Sequence, residues 1–462
     1  MLSELPASTC QQARLARDAR FDGLFFTAVS STGIYCRPIC PARAPAEQHV
    51  RYYFSAAAAS AAGFRPCLRC RPDSAPGSAA WQGTHTTLQR ALRLIDEGVL
   101  QQHSQAALSA RLGISERYLR KLFQQQLGVA PKQYALMQQV LFAKKLLHET
   151  TLPVAEIAFQ AGFNSLRRFN DAFKQQLQLA PASIRRRRST SADFIELELS
   201  YRPPLAWQAM LNFWQLRTLN GIDWVDGEAY GRTFTWQQHP GWFEVSPRTD
   251  NSLTLKLSWP GKQGLFQLVQ QLRRILDLDA NMLQIEQQLQ RHPLFAGKVI
   301  SGLRIPGVWS SWEAGVRAVL GQQVSVAGAR TQLNRLIEAL GQDIFADKKL
   351  FPTPAAVAQS DLLMIKVPQA RRETLKALAT FVLQQPDAEP GLWQQIKGIG
   401  PWTINYARLR GLSDSDIWLG GDLGVQKALA KHTGQTPVAL EHTNLSPWRS
   451  YATFQLWFSL GG

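Results

Sequence analysis

Hydrophobic and polar positions change rhythm three times along the chain. Between 194 and 258, apolar residues alternate with polar ones in the runs FIELELSY, EAYGRTFTW, WFEVSP and SLTLKLSW. A period of two predicts half-buried strands. Residues 86–186 instead repeat apolar positions every three or four residues. That helical rhythm returns from about 264 to the end, broken at IPG, PTP and GIG. The first 72 residues mix strand-like runs (GLFFTAV, HVRYYF) with cysteines. RPDSAPGSAAWQGTH (71–85) and RRRRSTSAD (185–193) have neither rhythm and read as linkers.

Charge separates the two ends of this pattern. The chain has 462 residues and a formal net charge of +17. Residues 1–190 hold 25 Lys and Arg against 11 Asp and Glu, a net of +14; residues 191–462 hold 26 against 23, a net of +3. A surplus of this size points to a polyanion, most often nucleic acid. The first part reads as an electrostatic binder. The nearly neutral second part needs a shaped site to hold the same partner. No stretch approaches the roughly 20 apolar residues of a membrane span, and MLSELPASTCQQARLARDAR has no signal-type apolar core. A cytoplasmic protein with reduced thiols and no membrane partner is expected.

All five cysteines lie in the first 70 residues. Cys36-x3-Cys40 and Cys67-x2-Cys70 are two close pairs joined by a loop, a spacing that suits one tetrahedral zinc ion. Read from the residues alone, the site is structural, adding folding free energy to a small core. The segments STGIYCRPICPAR and GFRPCLRC resemble the zinc domain of the Ada-type methylation sensors, over about residues 10–75. The resemblance implies that Cys36 accepts a methyl group from a methylphosphotriester in DNA. Zinc keeps such a thiolate deprotonated. Four thiolates on one zinc ion carry a net charge of about −2, and methylation lowers this to about −1, which reduces repulsion from phosphates. Arg37, Arg43, Arg65, Arg69 and Arg71 surround the cysteines as candidate phosphate contacts. Cys10 stands outside the set.

The segment AALSARLGISERYLRKLFQQQLG (106–128) is a helix, a turn at Gly113 and a second helix with Ser115 as its N-cap. PVAEIAFQAGFNSLRRFNDAFKQQLQ (153–178) repeats the plan, with its turn at Gly162 and Asn164 or Ser165 as cap. Arg117, Arg120 and Lys121 lie on the first candidate recognition helix, and Arg167 and Arg168 on the second. The pair, with Gly162, Phe163, Ser165 and Phe169, resembles the AraC-type DNA-binding domain.

The segment LWQQIKGIGPWTINYARL (392–409) reads as helix, glycine hairpin and helix, a backbone grip for DNA. Gly398 and Gly400 let the chain turn and approach another surface, and Pro401 opens the second helix, where Thr403 joins the expected DNA contacts. Asp422 follows in IWLGGDLGVQKAL, where it reads alone as a cap for a helix starting near Leu423. Together with GLRIPGVWSSWEAGVRAVLGQQVSVAGA, PWRSYA and YRPPLAWQAML, these segments resemble the AlkA-type 3-methyladenine glycosylases of the helix-hairpin-helix superfamily, over about residues 194–462.

That resemblance implies that Asp422 stabilises the sugar cation formed as a damaged base departs, and that Trp402, Tyr406 and Trp448 wall the base pocket. The lysine of strand-cutting relatives is missing after the hairpin, so base removal without strand cleavage and without a cofactor is implied. Gln323 stands at the position of a DNA-inserting leucine, and Gly421 replaces a second acidic residue. The Pro-Cys-His-Arg site of the guanine methyltransferase domain is not found. The expected architecture is multidomain and mainly α with α+β parts. It comprises a zinc α+β domain (1–75), an all-α double helix-turn-helix domain (86–186), a strand-rich α+β subdomain (194–285) and a helix-hairpin-helix domain (286–462). The expected agent is a monomeric repair enzyme and regulator acting on double-stranded DNA, with RNA polymerase as a further partner. The alternative is a transcription factor whose C-terminal half only grips DNA.

Overall fold

The computed structural model describes residues 5–54, 56–67, 69–70, 72, 86–185, 194–248, 251–433 and 443–460. Residues 73–85 and 186–193, the bulk of both expected linkers, lie outside these. The architecture is multidomain and mainly helical, with two larger sheets and a small hairpin.

The N-terminal sheet has the order Val50–Tyr53, Phe26–Val29, Ile34–Cys36, Arg65–Pro66. Its first two pairings are antiparallel, and Ile34–Cys36 runs parallel to Arg65–Pro66. Its core is small: Phe26, Ala28, Tyr35, Ala59 and Phe64. So little buried apolar surface makes a metal a natural supplement.

Seven helices fill 86–177, among them Gln105–Leu112, Glu116–Leu127, Pro131–Glu149, Val154–Gln160 and Leu166–Leu177. Ser115 and Ser165 cap the two recognition helices, each accepting from a backbone N–H three residues on, at 3.2 and 3.3 Å. The cap of the second helix is thus Ser165, not Asn164. Gly113 and Gly162 take left-handed conformations at the turns. The two halves do not share one core. The first packs around Leu108, Leu119, Phe123 and Leu141. The second joins a large cluster running from Val140 through Phe169 into the strands and helices after 195.

The second sheet is antiparallel, in the order Ile195–Ser200, Ser252–Ser258, His239–Pro247, Ala229–Trp236, Asp223–Asp226. Four of its strands coincide with the alternating runs. The fifth, DWVD, has too little apolar alternation to be read from sequence. Ile195–Ser200 is an edge, and the helix Pro131–Glu149 covers it. Lys145 donates to the Glu198 carbonyl, and Glu149 accepts from the Glu198 N–H at 2.9 Å. Side chains thereby satisfy an edge that would otherwise invite pairing.

The remaining helices include Ser311–Gly321, Val326–Leu340, Gln369–Gln384, Pro401–Gly411, Leu423–Thr433 and Arg449–Phe458. The hairpin Gln342–Phe345/Lys348–Leu350 was not legible in the helical rhythm. The first arm of the glycine hairpin is a 3-10 segment, Pro390–Gln395, rather than a full helix; the buried Trp393 anchors it. Sheet and helices are tied by a buried ion network. Arg232 meets Glu313 at 2.8 Å, and Arg317 meets Glu313 at 2.9 Å and Asp223 at 3.3 Å. The shared anion sits at the start of Ser311–Gly321, so this network fixes the helix that leads into the Gln323 loop.

Glu313→Gln leaves the buried Arg232 with only a neutral partner and Arg317 with Asp223 alone. The expected loss is about 3–5 kcal/mol of unfolding free energy, measurable by denaturant titration. A loss below about 1 kcal/mol would show that the network is solvated in solution.

Candidate active site and metal centre

Parallel pairing of Ile34–Cys36 with Arg65–Pro66 carries Cys36 and Cys67 out side by side, and the Cys67 N–H donates to the Tyr35 carbonyl at 2.9 Å. A tight turn returns Cys40, whose N–H donates to the Arg37 carbonyl at 3.1 Å. The sulfurs of Cys36, Cys40, Cys67 and Cys70 all lie within 4.8 Å of one another. A zinc ion with four bonds of about 2.3 Å needs sulfurs about 3.8 Å apart, so the set fits. Two backbone N–H groups support it: Arg37 N to Cys70 Sγ at 3.3 Å and Arg69 N to Cys67 Sγ at 3.4 Å.

The thiols also divide their protons. Cys36 and Cys70 are pushed up, chiefly by hydrogen bonds to Cys40 and to Cys36 respectively. Hydrogen bonding from Cys36 brings Cys40 down to about 7 and pulls Cys67 below the thiol range. Four sulfurs this close cannot all ionise unless a cation joins them. Cys10 is buried elsewhere, its thiol pushed up to about 11 by burial.

Of the arginines around the cysteines, Arg43 and Arg69 are exposed and Arg65 is half-buried, while Arg71 lies outside the described residues. Arg37 is a correction. It is buried and bidentate to Asp22, so it has no free fork for a phosphate. Arg117, Arg120, Lys121, Arg167 and Arg168 are all exposed on their helices. Tyr118 is exposed beside the first group, a surface aromatic that the basic pattern did not single out.

Asp422 caps the helix Leu423–Thr433, with its Oδ1 accepting from Val425 N at 3.0 Å. Two indoles also hold the carboxylate. Trp402 Nε1 donates to Oδ2 at 3.1 Å and Trp457 Nε1 to Oδ1 at 2.8 Å. Capping and charge placement therefore coexist in one residue. Tyr406 lies between the indoles, with ring centroids 5.4 Å from Trp402 and 6.5 Å from Trp457. Behind it, the buried Arg410 donates to the Tyr406 hydroxyl at 3.3 Å.

Trp457 was missed from sequence, because nothing local marks a tryptophan 35 residues beyond Asp422. Its approach depends on Gly424. A Cβ there would stand 3.0 Å from Asp422 Oδ1 and 3.2 Å from the Trp457 ring. Trp448 is a second correction. It is only 1% exposed and packs edge-on against Tyr451, outside the ring group around Asp422. Its apolar bulk is core.

The hairpin and the Gln323 loop are linked. Gly398 has φ +89°, and a Cβ there would collide with the Thr374 hydroxyl. Gly400 has φ −105° and open space where a Cβ would stand, so no contact within the chain demands glycine there. Gln322 Nε2 donates to the Gly398 carbonyl at 3.1 Å and to Thr403 Oγ1 at 3.0 Å. Arg371 donates to the Gln322 carbonyl at 2.9 Å. Thr403 is 1% exposed, which corrects its expected DNA contact: its hydroxyl serves the loop. Gln323 projects beyond this clamp, exposed and left-handed at φ +57°, beside the exposed Val324 and Val326.

Three family models match the chain: the metal binding domain of Ada at residues 9–73, a helix-turn-helix domain at 108–187 and the AlkA N-terminal domain at 196–310. The "Probable bifunctional transcriptional activator/DNA repair enzyme AlkA" of Mycobacterium tuberculosis is 36% identical over 98% of this chain and 96% of its own length. The chain belongs to this family of bifunctional activator and repair proteins. Its later half is also 31% identical to "DNA-3-methyladenine glycosylase 2" of Escherichia coli, over 57% of this chain and 97% of that protein. Among solved structures, the 3-methyladenine DNA glycosylase of Archaeoglobus fulgidus shares the fold, with a TM-score of 0.50 at 15% identity, over 56% of this chain and 97% of that one. Among the described residues, no helix is long and apolar enough to cross a membrane.

Cys40→Ala removes one of four ligands. If about 10–16 kcal/mol of zinc binding is shared among four thiolates, affinity is expected to fall roughly 100-fold or more. Competition with a chromophoric chelator measures it, and unchanged affinity would remove Cys40 from the site.

Proposed function

We propose that this chain removes alkylated purines from double-stranded DNA by hydrolysing the N-glycosidic bond, and that it couples this repair to a methyl-accepting sensor and a sequence-reading regulator. The observation that carries the repair reading is the Asp422 carboxylate, held by the Trp402 and Trp457 N–H groups beside the Gly398 hairpin.

The geometry suits the reaction. The hairpin amides and the start of Pro401–Gly411 meet the DNA backbone, and the Gln323 loop enters the duplex as a base flips out. Glutamine is a less apolar wedge than leucine, but the Gln322 clamp holds its loop in place. The flipped, cationic base stacks among Trp402, Tyr406 and Trp457, whose π-faces attract positive charge. As the base leaves with the bonding pair, the sugar becomes an oxocarbenium-like cation. Asp422 stabilises that charge, and three N–H donors keep its carboxylate aimed. Water adds at the sugar carbon, its spare proton passes to solvent, and the base departs neutral. No lysine near the carboxylate is needed.

In the N-terminal part, Cys36, Cys40, Cys67 and Cys70 would hold one zinc ion, which when bound keeps the sulfurs ionised. The Cys36 sulfur attacks the methyl carbon of a methylphosphotriester. A carbon–sulfur bond forms, the carbon–oxygen bond breaks, and a phosphodiester anion leaves. Arg117, Arg120, Lys121, Arg167 and Arg168 read or grip promoter DNA. As a monomer, the chain would then contact RNA polymerase.

Base release from methylated duplex DNA tests the enzyme reading. Asp422→Asn is expected to lower the rate about 10²–10³-fold. A wild type that releases no methylated purine leaves only the DNA-gripping regulator. A fully active mutant moves the catalytic role elsewhere. Trp457→Phe keeps an aromatic ring, smaller than the indole, but loses one charge-assisted hydrogen bond of about 1.5–3 kcal/mol. Its rate should fall roughly tenfold or more with the fold intact by circular dichroism. Mass spectrometry after exposure to methylphosphotriester DNA should place one methyl group on Cys36; an unmodified Cys36 would make the zinc site purely structural.

A further inference from the structure

Arg202 lies between the edge strand Ile195–Ser200 and the helix Trp207–Gln215, and it is completely buried. Its Nε donates across to the Asp22 carbonyl of the N-terminal domain at 2.7 Å. Its Nη1 and Nη2 have no hydrogen-bond partner among the described residues. Burying a guanidinium with two empty amino groups is costly, and a Met or Leu would fill the volume more cheaply. The charge is retained for what it faces.

Its one contact leads, through Asp22, to the back of the thiolate site. Asp22 is bidentate to Arg37, the residue after Cys36. Arg37 in turn donates its backbone N–H to Cys70 Sγ at 3.3 Å and its Nη1 to the Cys70 carbonyl at 3.4 Å. The link also continues inward. Arg304, buried as well, donates to the carbonyls of Arg202, Pro204 and Asp277. The Asp277 carboxylate accepts from Tyr451, on the helix that carries Trp457. Positive charge exceeds negative at this junction. Four guanidiniums, Arg37, Arg202, Arg273 and Arg304, stand against three carboxylates, Asp22, Asp277 and Asp279; Arg37 engages Asp22, Arg273 engages Asp279 and Arg304 lies beside Asp277, while Arg202 donates only to a carbonyl. Burial pulls the Arg202 guanidinium down to about 10, and Asp22 opposes that fall, so it stays charged at neutral pH.

We propose that Arg202, Asp22 and Arg37 form a latch that docks the sensor on the glycosylase half and reports the charge of the thiolate site to it. The unspent positive charge is offset by the net negative charge of four metal-bound thiolates. Methylation of Cys36 removes one unit of that negative charge, so attraction across the junction weakens and the sensor is released from the repair half. The inference rests on the methyl-acceptor reading for its trigger, but not for the contact itself.

Amide hydrogen exchange of the full-length, zinc-loaded chain tests it, read at residues 20–24 and 200–206 before and after exposure to methylphosphotriester DNA. Methylation is expected to speed exchange roughly tenfold or more at both segments. Arg202→Met should show fast exchange already, with no further change on methylation. Asp22→Asn should act in the same direction and serves if Arg202→Met does not fold. Cys36→Ser removes the same unit of charge without a methyl donor and should reproduce the rise. If mass spectrometry finds no methyl on Cys36 but Cys36→Ser speeds exchange, the trigger fails and the latch stands. If exchange at 200–206 is unchanged in Cys36→Ser, or Arg202→Met exchanges like wild type, the latch is overturned.

Discussion

Three N–H groups converge on the Asp422 carboxylate, and much of the C-terminal half exists to bring them there. One belongs to the helix that Asp422 caps. The other two are indoles on helices that flank it, and each indole must arrive within about 3 Å. Trp402 arrives because the glycine hairpin sets where Pro401–Gly411 begins. Trp457 arrives because Gly424 has no side chain. A carboxylate fixed by donors is oriented in advance, and in the reaction proposed for it little reorganisation would be left.

The same helices hold the Gln323 loop. Gln322 joins the Gly398 carbonyl to Thr403, so the glycine turn and the Gln323 loop are tied to each other. The buried Glu313, shared by Arg232 and Arg317, fixes the other end of the helix before that loop. Long-range ion pairs and amide bridges, not local propensity, set where the Gln323 loop and the glycine turn stand.

The functional units are not independent beads. The second helix-turn-helix shares a continuous core with the strand-rich part, and the helix Pro131–Glu149 seals that part's open edge. A regulator packed in this way gains stability from the repair half. The zinc, helix-turn-helix and repair parts therefore occupy one framework, with the buried junction of Asp22, Arg202 and Arg304 joining the first to the last.

Much of this was legible in the residues. Alternation marked four of the five strands of the larger antiparallel sheet, Ser115 and the glycine turns marked the paired helices, and cysteine spacing marked the metal site. Asp422 was visible through the hairpin that precedes it. These are local signals, because period, capping and ligand spacing act over a few residues. Burial and partnership depend on the whole chain. They turned Trp448 into core and Thr403 into a loop clamp, paired Arg37 with Asp22, and brought Trp457 to Asp422 across 35 residues. The sequence by itself determined which chemistries this protein carries. Only the tertiary structure decided which side chains serve them, because a side chain's role depends on what packing leaves beside it.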